Sequence, residues 1–236
     1  LNHAAWKNFA KARDQFRELT EEISLSLPKL QNILQQFVNS RTGIYTVETP
    51  VVYNSTLDDI TIKDDIKLIL VADNPGRREQ ASSRYLVGPS GKIAQKFFRD
   101  NPALGIDFLK HVIILNKTPI HSPRTIELRQ LCRMEESIIP VLEESQRAMA
   151  ALLLKFHEAL DCPIWITGYS EMRKGGIFEV YTDSLKKFAD SRLFIYRHFS
   201  MNQFTIDLKQ QALPGETVSK TLKRIGAAYR KRILLS

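Results

Sequence analysis

Hydrophobic and polar residues change period several times along this chain. Over residues 3 to 38 the apolar positions recur at helical spacing, at Phe9, Phe16, Leu19 and Ile23 and again at Leu30, Ile33, Leu34 and Phe37. Pro28 falls between the two sets, and a proline lacks the N–H that a helix interior needs, so the pattern predicts two helices joined there. Residues 43 to 62 intersperse Ile44, Tyr45, Val47, Val51, Val52 and Tyr53 with polar positions and predict extended structure, irregular or a short hairpin. Four short apolar runs follow, over 66–73, 111–115, 163–167 and 193–197. Runs this short and apolar on both faces predict buried strands. Between and after them, helical patterns cover 90–100, 125–160 (with a break expected at Pro140), 178–190, 202–211 and 216–234.

Strands alternating with helices predict an α/β fold, with a central four-stranded parallel sheet covered on both faces. Right-handed crossovers bring all four strand ends to one edge, where α/β proteins bind ligands. That edge receives Asp73 and Asn74, Asn116, Gly168 and His198. The first strand ends in Asp73-Asn74-Pro75-Gly76, a forced turn, and a second turn cluster, Gly88-Pro89-Ser90-Gly91, precedes the next helix. Asp and Asn also cap turns for purely local reasons, so residue type alone does not make this a site. The chain reads as one domain over 1–236: an N-terminal helical extension (1–40), a motif-bearing core (65–205) and a basic C-terminal helix (214–236).

The stretch from Lys67 to Lys92 resembles the first motif of the uracil-DNA glycosylase superfamily. In its thermophilic iron–sulfur branch that motif reads Gly-Glu-Ala-Pro-Gly, then Glu-Asp, then Pro-Phe-Val-Gly; here Asp73, Gly76, Glu79 and Val87-Gly88 occupy matching positions. The mismatch-specific and single-strand-selective branches carry Asn-Pro-Gly, here Asn74-Pro75-Gly76, so the chain mixes features of both. Asn116 stands where the family has a Thr-Asn-Val-Val-Lys-Cys segment, and His198 where it has His-Pro-Ser.

The resemblance implies a three-layer α/β/α fold and hydrolysis of the N-glycosidic bond of uracil or a related deaminated base in DNA, without a cofactor. It assigns catalysis to Asp73, with Asn74 as the competing candidate, and to His198. Base contacts fall to Asn116, Gly76 and Leu86, with Tyr85 as the alternative aromatic platform. DNA contacts fall to Ser90 and Lys92, to Ser200 and Met201 after the histidine, and to Lys220, Lys223 and Arg224; Met201 and Phe204 are candidate wedges. The chain departs from the family at Ala72 for Gly, at Asp73 for Glu (shorter by about 1.5 Å), at Leu86 for a stacking Phe and at Phe199 for Pro. Those departures motivate the alternative: a catalytically silent nucleic-acid-binding or interaction module with the same fold.

Charge adds a partner. The formal net charge is +8, of which the segment 216–236 carries +5, which favours a polyanion such as DNA over a plain solvated face only in company with the motifs. Two cysteines, Cys132 and Cys162, exclude a disulfide framework and a four-cysteine iron–sulfur cluster within one chain. The five histidines show no metal-ligand spacing, so no metal is expected. Gly88 to Lys92 imitates the end of a phosphate-binding loop, but Leu86 and Ile93 occupy its required Gly and Ser/Thr positions. No apolar run approaches ~20 residues and the amphipathic start lacks the features of a cleavable signal, so the expectation is a cytoplasmic protein with no membrane partner.

Overall fold

The computed structural model describes residues 1–40, 43–188 and 190–235. Its centre is a four-stranded sheet of β1 (Leu68–Ala72), β2 (Val112–Asn116), β3 (Ile164–Thr167) and β4 (Leu193–Tyr196), in the order β2-β1-β3-β4. Every pairing is parallel, with Ala72 opposite Asn116, Val71 opposite Ile166, and Thr167 opposite Tyr196. All but two of the strand residues are buried, as a sheet covered on both faces requires. The chain leaves β1 toward β2 on one side and returns to β3 on the other. The strand order therefore reverses between β1 and β3, which opens a crevice beyond their carboxyl ends.

The helices follow the apolar spacing. They are α1 (His3–Ser26), α2 (Leu30–Asn39), α3 (Arg77–Ser82), α4 (Pro89–Asp100), α5 (Phe108–His111), α6 (Glu127–Met134), α7 (Ile138–Leu160), α8 (Glu179–Leu185), α9 (Gln203–Gln211) and α10 (Val218–Leu234). The N-terminal helices are not an appendage: Phe9, Ala12, Phe16 and Ile23 of α1 are buried, and Phe9 meets Phe156 of α7 edge-on at 5.5 Å. On the other face Phe98, Trp165 and Phe204 stack in sequence. Phe204 is thus core and not a wedge. Among the described residues, no helix is long and apolar enough to cross a membrane.

Two expectations are corrected and one is narrowed to one of its alternatives. The helical break falls at Glu135–Ser137, not at Pro140, which sits in the first turn of α7 where a missing N–H costs no bond. Residues 43–62 form no hairpin; the stretch is irregular, with one antiparallel bridge between Val51 and Ile120 and a short 3-10 turn at Ser55–Leu57. Its donors are taken up elsewhere: the Gln80 side chain accepts from the N–H groups of Glu48 and Thr49, and the Pro119 carbonyl accepts from Val52. The stretch is a strap laid over the loop after β2. The helix expected over 178–190 stops at Leu185.

Candidate functional site

At the strand-order reversal, β1 ends in Asp73 and the loop after β2 delivers Lys117, whose side chain is completely buried. A buried ammonium persists only if its protons are all paired. Lys117 Nζ donates to Asp73 Oδ1 at 2.6 Å, to the Ala72 carbonyl at 3.3 Å and to the Thr167 carbonyl, and it lies 4.9 Å from the centre of the Phe178 ring. Three donors meet three oxygens, the valence of a charged lysine. Thr125 Oγ1 donates to the other carboxylate oxygen at 3.3 Å. Burial alone pushes the Asp73 carboxyl up, but Lys117, His198 and these hydrogen bonds outweigh it and hold the group below its ordinary value. Space for the carboxylate comes from Gly168, which has φ +88°; a Cβ there would stand 2.0 Å from Asp73 Oδ1.

β4 brings His198 to the same edge. The Ser200 N–H donates to His198 Nδ1 at 3.0 Å, so the neutral ring carries its proton on Nε2. Burial lowers the His198 pKa and Lys117 adds to this, against Asp73, which favours the cation. Phe199 is fully buried and stacks on Phe204 at 4.2 Å, which anchors the histidine loop in the core. Asn74 Nδ2 donates to Ser122 Oγ at 2.9 Å, an arrangement that commits the amide nitrogen and leaves Oδ1 as acceptor.

The loop between α3 and α4 closes the site. Glu79, at the start of α3, accepts from the N–H groups of Gly76, Leu86 and Val87. That clamp holds Leu86 in the left-handed region at φ +54°. Gly91 lets the loop seat on α4, because a Cβ there would lie 1.4 Å from the Leu86 carbonyl oxygen. The result is a cavity of about 360 Å³ between the first turn of α4, Asp73, Asn74, Leu86 and His198, with Arg77, Arg78 and Arg124 on its walls. The carboxylates of Asp73 and Glu79 share this lining, and Arg124 is paired with Glu127 at 2.8 Å.

Of the residues singled out in the sequence, Asp73, Asn74, Gly76, Leu86, Ser90 and His198 line this one cavity. Others do not. Tyr85 points into the core, where its hydroxyl donates to the Val52 carbonyl and its ring packs beside Phe16, so it offers no aromatic platform. Asn116 is buried outside the cavity, and its Nδ2 has no hydrogen-bond partner. Lys92, Lys220 and Lys223 are exposed on helices, and Arg224 is committed to Glu216 at 2.7 Å. Met201 is 82% exposed beside Ser200. Sequence reasoning did not single out Lys117, Thr125, Ser122 or Glu79 as builders of the site. Only Glu79 carried a signal, its match to the family's Glu and its place three residues after a helix-starting Gly76.

Among the described residues, no group of three or more His, Cys, Asp or Glu side chains is placed to hold a metal ion. No model of a protein family matches the chain, and no curated protein matches it.

Proposed function

We propose that this protein is a DNA glycosylase that hydrolyses the N-glycosidic bond of uracil or a related deaminated base. The observation that carries the reading is the pairing, in one cavity, of a carboxylate held ionised with a neutral imidazole donor, Asp73 and His198. Breaking the glycosidic bond leaves positive charge on the deoxyribose and negative charge on the departing base. Asp73 answers the first and His198 Nε2–H the second. The electron pair of the C1′–N bond leaves with the base, a water oxygen adds to C1′, and the water's proton ends on the released base. Asn74 Oδ1 is the acceptor that orients that water or the base edge. The target nucleotide must leave the stack to reach the cavity, and exposed Met201 is the side chain available to fill its place.

The test is excision from end-labelled oligonucleotides carrying uracil, hypoxanthine or xanthine, single- and double-stranded, with alkali to reveal abasic sites. A time-dependent product reduced about 10²- to 10³-fold by His198→Ala and by Asp73→Asn is expected. A second reading, a silent nucleic-acid-binding module of the same fold, is favoured by two observations: Leu86 presents no aromatic platform, and Asn116 is withdrawn from the cavity. Folded protein that binds DNA and yields no product from any base would establish that reading instead.

A further inference from the structure

His198 is a wall shared by two cavities. The second, also about 360 Å³, is lined on its far side by Arg173, Arg197 and Arg232 together with Ser170 and Ser200. These guanidinium groups come from three separate parts of the chain: the loop after β3, the residue after β4 and the last turn of α10. Tyr169 organises two of them. Its ring stacks on Tyr229 at 4.5 Å, with the Arg173 guanidinium carbon 5.6 Å and that of Arg232 5.9 Å from its centre. Arg197 Nε is braced by Asp207 at 3.4 Å, and Arg173 Nε by the Ser170 carbonyl at 3.3 Å. Among the described residues no carboxylate lines the cavity. Arg197 shares its charge with Asp207 behind it, and guanidinium groups that converge on a space lined by no carboxylate favour an anion within it.

We infer that this arginine cavity seats a backbone phosphate of the nucleic-acid strand whose base enters the neighbouring cavity. The inference rests on the function proposed above and deepens it: base and phosphate of one short stretch of strand lie on opposite sides of His198. A planar guanidinium pairs with two phosphate oxygens at once, and the hydroxyls of Ser170 and Ser200 supply further donors. It follows that the C-terminal helix serves through Arg232, which lines the cavity, while Lys220, Lys223 and Arg224 lie outside it. A free nucleoside, which lacks the phosphate, is then a poor ligand.

Binding, not excision, tests this. A fluorescein-labelled, undamaged single-stranded oligonucleotide is titrated with the wild-type protein, with Arg173→Ala, with Arg232→Ala and with Lys220→Ala/Lys223→Ala over a range of salt concentrations. Each arginine variant is expected to weaken binding roughly 5- to 10-fold at low salt and to lower the salt slope by about 0.7 for each phosphate that is no longer neutralised, with the lysine variant close to wild type. In the wild type the strand shifts the His198 imidazole resonances, and in the arginine variants at equal saturation it does not. Arginine variants that bind within twofold of wild type overturn the inference, and so does competition by polyglutamate as strong as that by the unlabelled strand. Because the strand carries no damaged base, binding is read apart from excision: arginine-dependent binding here, together with no product from any damaged base in the excision assay, would sink the glycosylase and leave the phosphate site standing.

Discussion

At the scale of single residues, the most costly investment in the molecule is Lys117. A lysine withdrawn from water among strand ends is tolerated because Asp73 and two carbonyls surround it. Removing one partner strands the other. Lys117→Met is expected to destabilise the fold by about 3–5 kcal/mol in urea denaturation, and the Asp73→Asn/Lys117→Met double variant to cost less than the sum of its singles. His121 gives a second test. It is fully buried, its Nδ1–H donates to the Pro75 carbonyl at 2.8 Å, and its Nε2 accepts from the Tyr45 hydroxyl at 2.7 Å. Burial, against the hydrogen bond to Pro75, lowers its pKa to about 4 from an ordinary 6.5. The unfolded chain therefore binds the proton first. The contribution is intact above about pH 6.5 and is lost as pH falls toward about 4, on the order of 3 kcal/mol in all. In His121→Gln the stability measured across that window is expected to depend less on pH than in the wild type.

At the scale of elements, the site is a set of loops pinned at strand ends and helix starts. The Glu79 clamp joins the start of α3 to the loop before α4. Glu79→Gln keeps the shape but exchanges a carboxylate for an amide that offers the three N–H groups a weaker acceptor. Faster hydrogen exchange at Leu86 and Val87, with the core amides unchanged, is the expected signature. Gly168 tests the loop after β3. Gly168→Ala forces a side chain into a left-handed position and against Asp73. On the proposed function, a carboxylate displaced by about 1 Å is expected to lower kcat for base excision roughly 10²-fold with little change in DNA affinity. Steady-state kinetics beside a binding titration separates the two effects.

At the scale of the whole molecule, the N-terminal helices and the sheet share one core, so deleting residues 1–27 uncovers Phe156 and the face of α7 around it. Loss of a cooperative thermal transition is the expected result, read by calorimetry. The sequence by itself determined the sheet and the edge at which its polar strand-end residues gather. Short apolar runs bounded by turn residues are too short for helices and read as buried strands, and parallel crossovers then bring Asp73, Asn74 and His198 to one edge. The partners of those residues were decided by the tertiary structure alone. Lysine is a surface residue by composition, and only the meeting of three strand ends gives Lys117 the oxygens that let it be buried. Neighbouring residues also part company: Tyr85 enters the core while Leu86, turned by its left-handed backbone, faces the cavity. Likewise, Asn116 is buried with its amide nitrogen unpaired while Lys117 reaches Asp73. Sequence spacing locates a strand end to within a residue, but one residue is enough to reverse the direction of a side chain, and that choice is made by what packs against it.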